Sequence, residues 1–179
     1  MQLPKIIRSR TLATSRLFKI EELELKFANG AERIYERMPA TGPQAVMVAA
    51  VRDGEILLIR EYAAGFHEYQ LTLPKDAAEP GESLVETANR ELKEEVGFGA
   101  RKIRWLKRMN LSPGHMGFTI HVMLAEDLFP ERLPADEPEL PEVVPWRLDR
   151  IEELVAREDF AEARAVAALY LVKQLIGDG

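Results

Sequence analysis

The 179-residue sequence contains no cysteine, which excludes disulfides, thiolate zinc sites and a cysteine nucleophile. It has no apolar run near the ~20 residues that a membrane span needs, and no apolar signal core follows its basic N-terminus. The net charge of −6 argues against a broad basic surface for nucleic acid or an anionic membrane. We therefore expect a cytoplasmic protein without nucleic-acid or membrane partners, although a local basic pocket for a phosphorylated small molecule remains open.

The composition is that of an ordinary globular protein, with 46% hydrophobic and 30% charged residues. Residues 23–27 alternate between apolar and polar side chains, and Asn29-Gly30 separates them from residues 33–37, which predicts a β-hairpin. We divide the chain into an N-terminal β-hairpin region, residues 1–40, and a main domain, residues 41–179.

The main domain is predicted to contain strands on both sides of one central helix. Strand patterns cover residues 45–51, 56–60, 69–73, 103–109 and 118–125, with a short strand near 143–144 and two helices between 148 and 176. The central helix opens with a capping box, Ser83 to Glu86, and ends at Gly97. This order of elements predicts a mixed α/β sandwich.

The central helix carries three carboxylates, Glu91, Glu94 and Glu95, at i, i+3 and i+4. At about 100° per residue, Glu91 and Glu95 lie at the margin of the apolar stripe, and Glu94 lies further round. Half-buried like charges are unfavourable unless a cation compensates them. We therefore favour a Mg²⁺ site over a solvated acidic face, because Mg²⁺ prefers oxygen ligands, and we expect Arg90 to pair with Glu94 or Glu86.

The segment Glu82-x7-Arg90-Glu91-Leu92-x-Glu94-Glu95-x-Gly97-Phe98 resembles the Nudix box. That box is the signature of hydrolases acting on nucleoside diphosphates linked to another moiety. The resemblance implies an α/β/α sandwich with a mixed sheet, and Mg²⁺ (or Mn²⁺) held by Glu91 and Glu95 with Glu94 as a catalytic helper. It also implies a metal contact from the backbone carbonyl of Lys75. The other matching motif positions are Gly81, Glu82, Arg90 and Gly97.

One position departs from the box, because Asp76 stands where the family has glycine. Glycine there permits a tight turn with positive φ, and aspartate tolerates left-handed geometry better than most residues. Alternatively, Asp76 adds a carboxylate near the metal site. Both interpretations stay open on the sequence.

Segments along the chain, one of which overlaps the box, resemble the Nudix enzymes that hydrolyse ADP-ribose and other ADP compounds. These segments are residues 32–37, 58–63, 89–100, 136–139 and 161–164. The resemblance implies cleavage of ADP-ribose, NADH or diadenosine oligophosphates with release of AMP, and a homodimer formed through the N-terminal region.

The resemblance also implies roles for residues beyond the box. Glu137 would be the catalytic base and Glu139 a further metal ligand, with Glu131 and Asp136 as alternative bases. A solubilising acidic loop is the competing interpretation. Residues assigned to substrate binding, each of which is alternatively an ordinary strand or turn residue, are Arg37, Arg60, Ser112 and Gly114. Phe18 is the candidate for stacking on adenine.

Two other functions remain open. One is a Nudix-fold module that binds a nucleotide without cleaving it, for which Asp76 is the supporting feature. The other is a Nudix enzyme with a different specificity, such as nucleoside triphosphates or sugar nucleotides.

Overall fold

A computed structural model describes residues 1–135 and 138–177, which divide into two units. The first unit consists of Met1–Gly42 and Asn110–Thr119, and the second contains the remaining described residues. The predicted boundary after residue 40 lies close to the first break. The structure adds a second segment, 110–119, that no sequence pattern assigned to the N-terminal region.

The first unit contains a three-stranded antiparallel sheet in the order β1-β2-β3. Its strands are β1 (Lys5–Thr14), β2 (Lys19–Lys26) and β3 (Glu32–Arg37). The predicted hairpin is confirmed, since Leu23 of β2 lies opposite Tyr35 of β3. The extra strand β1 was not predicted, because every one of its side chains is exposed and it therefore has no alternating apolar pattern.

The second unit is built on a mixed sheet in the order β10-β5-β4-β9-β8. Strands β4 and β9 are parallel, whereas β5 is antiparallel to β4, β6 and β10, and β7 is antiparallel to β4. The strands are β4 (Ala45–Arg52), β5 (Glu55–Ala63), β6 (Glu68–Thr72), β7 (Lys75–Ala77), β8 (Phe98–Asn110), β9 (Thr119–Pro130) and β10 (Glu142–Arg147). The helices are α1 (Leu84–Glu91), α2 (Ile151–Val155) and α3 (Ala163–Gly177).

Successive residues of the central strands point to opposite faces of this sheet, as strand geometry requires. In β4, Met47 and Ala49 join a buried cluster with α2 and α3, whereas Val46 and Val48 join a second cluster with α1. Helices therefore cover both faces, and the predicted α/β/α sandwich is confirmed. Among the helices of the described residues, none combines the length and apolar character needed to cross a membrane.

Candidate active site

Helix α1 begins as its sequence predicts, and a π-helical turn continues it from Leu92 to the predicted end at Gly97. The Glu86 amide donates to Ser83 Oγ at 3.3 Å, and the Ser83 amide donates to Glu86 Oε2 at 2.8 Å, which completes the capping box. At the other end, Gly97 has φ +84° and its amide donates to the Leu92 carbonyl at 2.8 Å. That five-residue step makes residues Leu92–Val96 a π-helical turn, a feature frequent at functional sites.

Glu91 and Glu95 are far more buried than the helical wheel predicted. Their relative exposures are 2% and 6%, so both are fully buried and not half-buried as expected at the margin of the apolar stripe. The π-helical turn ends the regular 100° steps after Glu91, so a uniform wheel does not describe the position of Glu95. Burial, with help from Asp76, raises the pKa of Glu91 to about 7. Burial, with help from Glu91, raises the pKa of Glu95 to about 8.

Arg90 connects the carboxylates around the start and end of the helix. Its Nε donates to Glu82 Oε1 at 2.9 Å, and its Nη1 donates to Glu94 Oε2 at 2.9 Å and also to Glu91. Its Nη2 reaches the Ala77 carbonyl at 3.1 Å. The predicted pair with Glu94 is thus present, and Glu86 serves the capping box. The guanidinium lowers the pKa of Glu82, mainly through their hydrogen bond.

Lys75 lies against Glu95 through its backbone, because its amide donates to Glu95 Oε2 at 3.3 Å. Its Nζ contacts Glu61 and lies 3.8 Å from Glu162 Oε2. Glu162 also accepts a hydrogen bond from Thr72 Oγ1 at 2.9 Å. The chain at residue 75 therefore adjoins the carboxylates, as the resemblance requires, and the metal contact of its carbonyl stays a prediction.

A cleft of about 430 Å³ brings Arg60, Glu95 and Glu139 together. Arg60 is held at its wall by Glu142, with Nε to Oε2 at 3.1 Å, and by Asp159, with Nη1 to Oδ2 at 3.0 Å. Sequence reasoning found these three cleft residues but gave no role to the others, since no motif marks them. The cleft is lined by Arg60, Glu61, Tyr62, Tyr69, Glu95 and residues 138–141.

Three predicted substrate-binding residues belong to the first unit. Arg37 donates to Glu21 Oε2 at 3.0 Å and, with Gly114, lines a cavity of about 390 Å³ within that unit. Ser112 Oγ lies 3.3 Å from His115 Nε2. Phe18 is exposed in the same unit. Their roles stay predictions.

The predicted catalytic base, Glu137, lies outside the described residues, as does its alternative Asp136. The other alternative, Glu131, forms an ion pair with Lys93 at 2.9 Å. Within the predicted acidic segment, Glu139 is described, and it accepts a hydrogen bond from Tyr69 at 2.8 Å.

Asp76 does not occupy a turn. It lies in the extended strand β7 opposite Val46 of β4, so its backbone does not require the freedom of glycine. The expectation of a left-handed turn at this position is wrong. The second interpretation is supported, because the charge of Asp76 contributes to the raised pKa of Glu91.

A hard divalent cation prefers oxygen ligands. A raised pKa in a buried carboxyl group shows that its negative charge is not fully compensated by nearby cations. Glu91 and Glu95 are such groups, and a bound cation would relieve their mutual repulsion. In the parts of the chain that the structure describes, no three Asp, Glu or His side chains already converge as a complete metal site. The chemistry of the two buried carboxylates nevertheless fits the implied metal.

Comparison with known proteins identifies the family. The model described as "NUDIX domain" matches residues 41–170, which is more than half of the chain. The chain belongs to the Nudix hydrolase family. Residues 4–37 also match the model for the NudE-type Nudix hydrolase N-terminal domain. Nudix hydrolases generally depend on a divalent metal ion.

Full-length relatives of this Nudix hydrolase include the ADP compounds hydrolase NudE of Escherichia coli (strain K12). The two are 46% identical, and the match covers 100% of this chain and 97% of the relative. ADP-ribose pyrophosphatase of Bacillus subtilis (strain 168) is 29% identical, with 92% of each chain covered. A crystal structure of an ADP compounds hydrolase, 46% identical, matches with a TM-score of 0.94 over 100% of this chain and 97% of that one.

Proposed function

We propose that this Nudix hydrolase cleaves the diphosphate bond of ADP-containing compounds, namely ADP-ribose, NADH or diadenosine oligophosphates, and releases AMP. The observation that carries this proposal is the cleft whose lining includes both the buried Glu95 and Arg60. Similarity over the full chain to an ADP compounds hydrolase supports the substrate class.

Glu91 and Glu95 would hold the cation, Mg²⁺ or Mn²⁺, and Glu139 and the Lys75 carbonyl would complete the set. When bound, such a cation neutralises the diphosphate and lowers the pKa of a water molecule. Arg90 keeps Glu91 and Glu94 in place through Nη1. The Lys75 amide orients Glu95.

Arg60 is the proposed phosphate-binding group of the cleft. Its hydrogen bonds to Glu142 and Asp159 fix the guanidinium before substrate arrives, and a fixed guanidinium can bind phosphate oxygens in bidentate fashion. Glu137 is the proposed general base, with Glu94 as helper. Arg37, Ser112 and Gly114 remain proposed contacts for the rest of the substrate.

Residues 1–40 are the proposed dimer-forming region. Strands β1 and β3 are the edges of the N-terminal sheet and expose Ile6, Ile7 and Ile34. Exposed apolar edge strands are sites of pairing with another chain. Light scattering should give the mass of a dimer, and a monomer mass would contradict the proposal. We also propose a cytoplasmic location, which cell fractionation can test.

The activity is tested with a panel of ADP-ribose, NADH, diadenosine oligophosphates, nucleoside triphosphates and sugar nucleotides. AMP and orthophosphate are measured separately. We expect AMP from the ADP compounds in the presence of Mg²⁺, and a loss of orders of magnitude in kcat for Glu95→Gln. Glu79→Gln is the matched control, because Glu79 is an exposed acid of the preceding loop. Wild-type turnover in Glu95→Gln would contradict the proposal, as would preference for a triphosphate or a sugar nucleotide.

A further inference from the structure

Two neighbouring tyrosines with no assigned role lie in the lining of the cleft. Tyr62 of β5 and Tyr69 of β6 are directly opposite in the strand register. Their ring centroids are 5.8 Å apart with an interplanar angle of 63°. Both side chains stay about half exposed, at 50% and 53%. They therefore present ring surface to the cleft that they line.

Hydrogen bonds fix the orientation of both rings. Tyr62 Oη lies 2.6 Å from His67 Nδ1, and the two rings meet edge to face with centroids 5.8 Å apart. His67 takes a left-handed backbone conformation, φ +57°, at the end of the loop that joins β5 and β6. Tyr69 Oη donates to Glu139 Oε2 at 2.8 Å. Rings that are already oriented lose little conformational entropy when a ligand binds.

The same cleft combines aromatic and charged groups. Arg60, which suits a phosphate, and Glu95 lie in one lining with Tyr62 and Tyr69. A ligand that satisfies both kinds of group has a planar ring linked to phosphate, which is the chemistry of a nucleotide. Bases stack on aromatic side chains without a strict sequence preference, because every base has a π-face.

We infer that Tyr62 and Tyr69 form a stacking platform for a nucleobase of the substrate. The inference rests on the proposed function, which places the diphosphate at Glu95 and Arg60. The base on the platform is either the adenine of the AMP moiety or the second base of a dinucleotide. Both present a planar heterocycle that can stack on a tyrosine ring.

The test compares Tyr62→Leu, which removes the ring, with Tyr62→Phe, which keeps it and removes the hydroxyl. Calorimetry with Mg²⁺ measures the binding of AMP, nicotinamide mononucleotide and ribose 5-phosphate, the last as a probe without a base. Loss of one stacking contact should weaken base-dependent binding roughly 5- to 100-fold in Tyr62→Leu. Tyr62→Phe should bind within about twofold of wild type, because its ring can still stack. Circular dichroism and melting temperature check that both variants fold.

Weaker binding of AMP alone assigns adenine to the platform, and weaker binding of nicotinamide mononucleotide alone assigns the second base. Weaker binding of both shows a platform open to either. An unchanged Tyr62→Leu, an equal loss for ribose 5-phosphate, a Tyr62→Phe as weak as Tyr62→Leu, or no wild-type binding of either mononucleotide overturns the inference.

Failure of the proposed function is distinguishable from failure of the platform. Wild-type protein that binds a mononucleotide through Tyr62 but releases no AMP from any ADP compound would refute the activity and keep the platform. Conversely, AMP release with a Tyr62→Leu variant unchanged in all three affinities would keep the activity and refute the platform.

Discussion

At the scale of single residues, Arg90 decides the electrostatics of the candidate site. One guanidinium satisfies Glu82, Glu91 and Glu94, and its side chain is only 16% exposed. Hydrogen bonding to Glu82 is the main reason that the pKa of Arg90 is raised. Removing the Arg90 guanidinium would leave three carboxylates in a poorly solvated place without their positive partner, which is more unfavourable than losing an exposed ion pair.

We therefore predict that Arg90→Met lowers the free energy of unfolding by roughly 3 kcal/mol. Urea denaturation measures this change. Arg104→Met is the matched control, because Arg104 forms an exposed pair with Glu126 at 3.7 Å, and such pairs contribute less than about 1 kcal/mol. Equal losses in the two variants would contradict a special role for Arg90.

Asp159 gives a prediction about pH. The guanidinium of Arg157, followed by that of Arg60, lowers the pKa of Asp159 from 3.8 to about 2. The contribution of these two ion pairs to the free energy of unfolding is therefore fully present above pH 3.8 and is lost as the pH falls through 2.

We predict that Asp159→Asn lowers the free energy of unfolding by roughly 1 kcal/mol at pH 7, and that its difference from wild type shrinks below about pH 4. Urea denaturation at several pH values measures the difference. Glu158→Gln, at an exposed neighbour, controls for the change in net charge. A difference that stays constant down to the lowest pH would argue against the ion pairs as its source.

At the scale of secondary structure, α1 shows how far the sequence predicts the site. The capping box marked the start of α1 and Gly97 marked the end of the π-helical turn that follows it, because capping and left-handed termination depend on local chemistry. The burial of Glu95 was underestimated, since the π-helical turn that contains it has no marker in the local pattern. Strand β1 was missed for a related reason, because an exposed strand has no buried face to set a period of two.

Gly97 tests the importance of that helix end. A Cβ at this position would lie 2.6 Å from Arg132 Nη2, and φ is +84°. We predict that Gly97→Ala loses about 1–2 kcal/mol of stability, because an L-residue is strained in this conformation. Gly97→Asn should recover part of the loss, since asparagine tolerates left-handed geometry.

The control is Gly65→Ala, because among the described residues no atom lies within 4 Å of a Cβ added at Gly65. Thermal unfolding of the three variants ranks the effects. An Ala variant at position 97 as stable as wild type would show that the left-handed helix end is not needed.

At the scale of the whole molecule, the cleft is assembled from distant parts of the chain. Glu95 follows α1, Arg60 and Tyr62 come from β5, and Glu139 precedes β10. The continuous apolar runs of residues 45–51 and 56–60 predicted the central strands of the sandwich, because a strand that lies between two helical layers buries the side chains of both its faces. The sequence did not predict that these residues share one cleft. Strand order and register bring them together, and no local motif encodes either of these.

A cation at the proposed site would also stabilise the second unit, so we predict that the effect of Glu95→Gln on melting temperature differs in sign with and without the metal. With a chelator, Glu95→Gln should melt at the same temperature as wild type or higher, because burial raises the pKa of Glu95 and thus disfavours its charge. With Mg²⁺, wild type should gain about 2.7 kcal/mol at a hundredfold excess over Kd, and Glu95→Gln should gain much less. Calorimetric melting of wild type and Glu95→Gln in both conditions tests whether the order of their melting temperatures reverses. Glu79→Gln should follow wild type throughout, and a Mg²⁺ gain in Glu95→Gln equal to that of wild type would place the cation elsewhere.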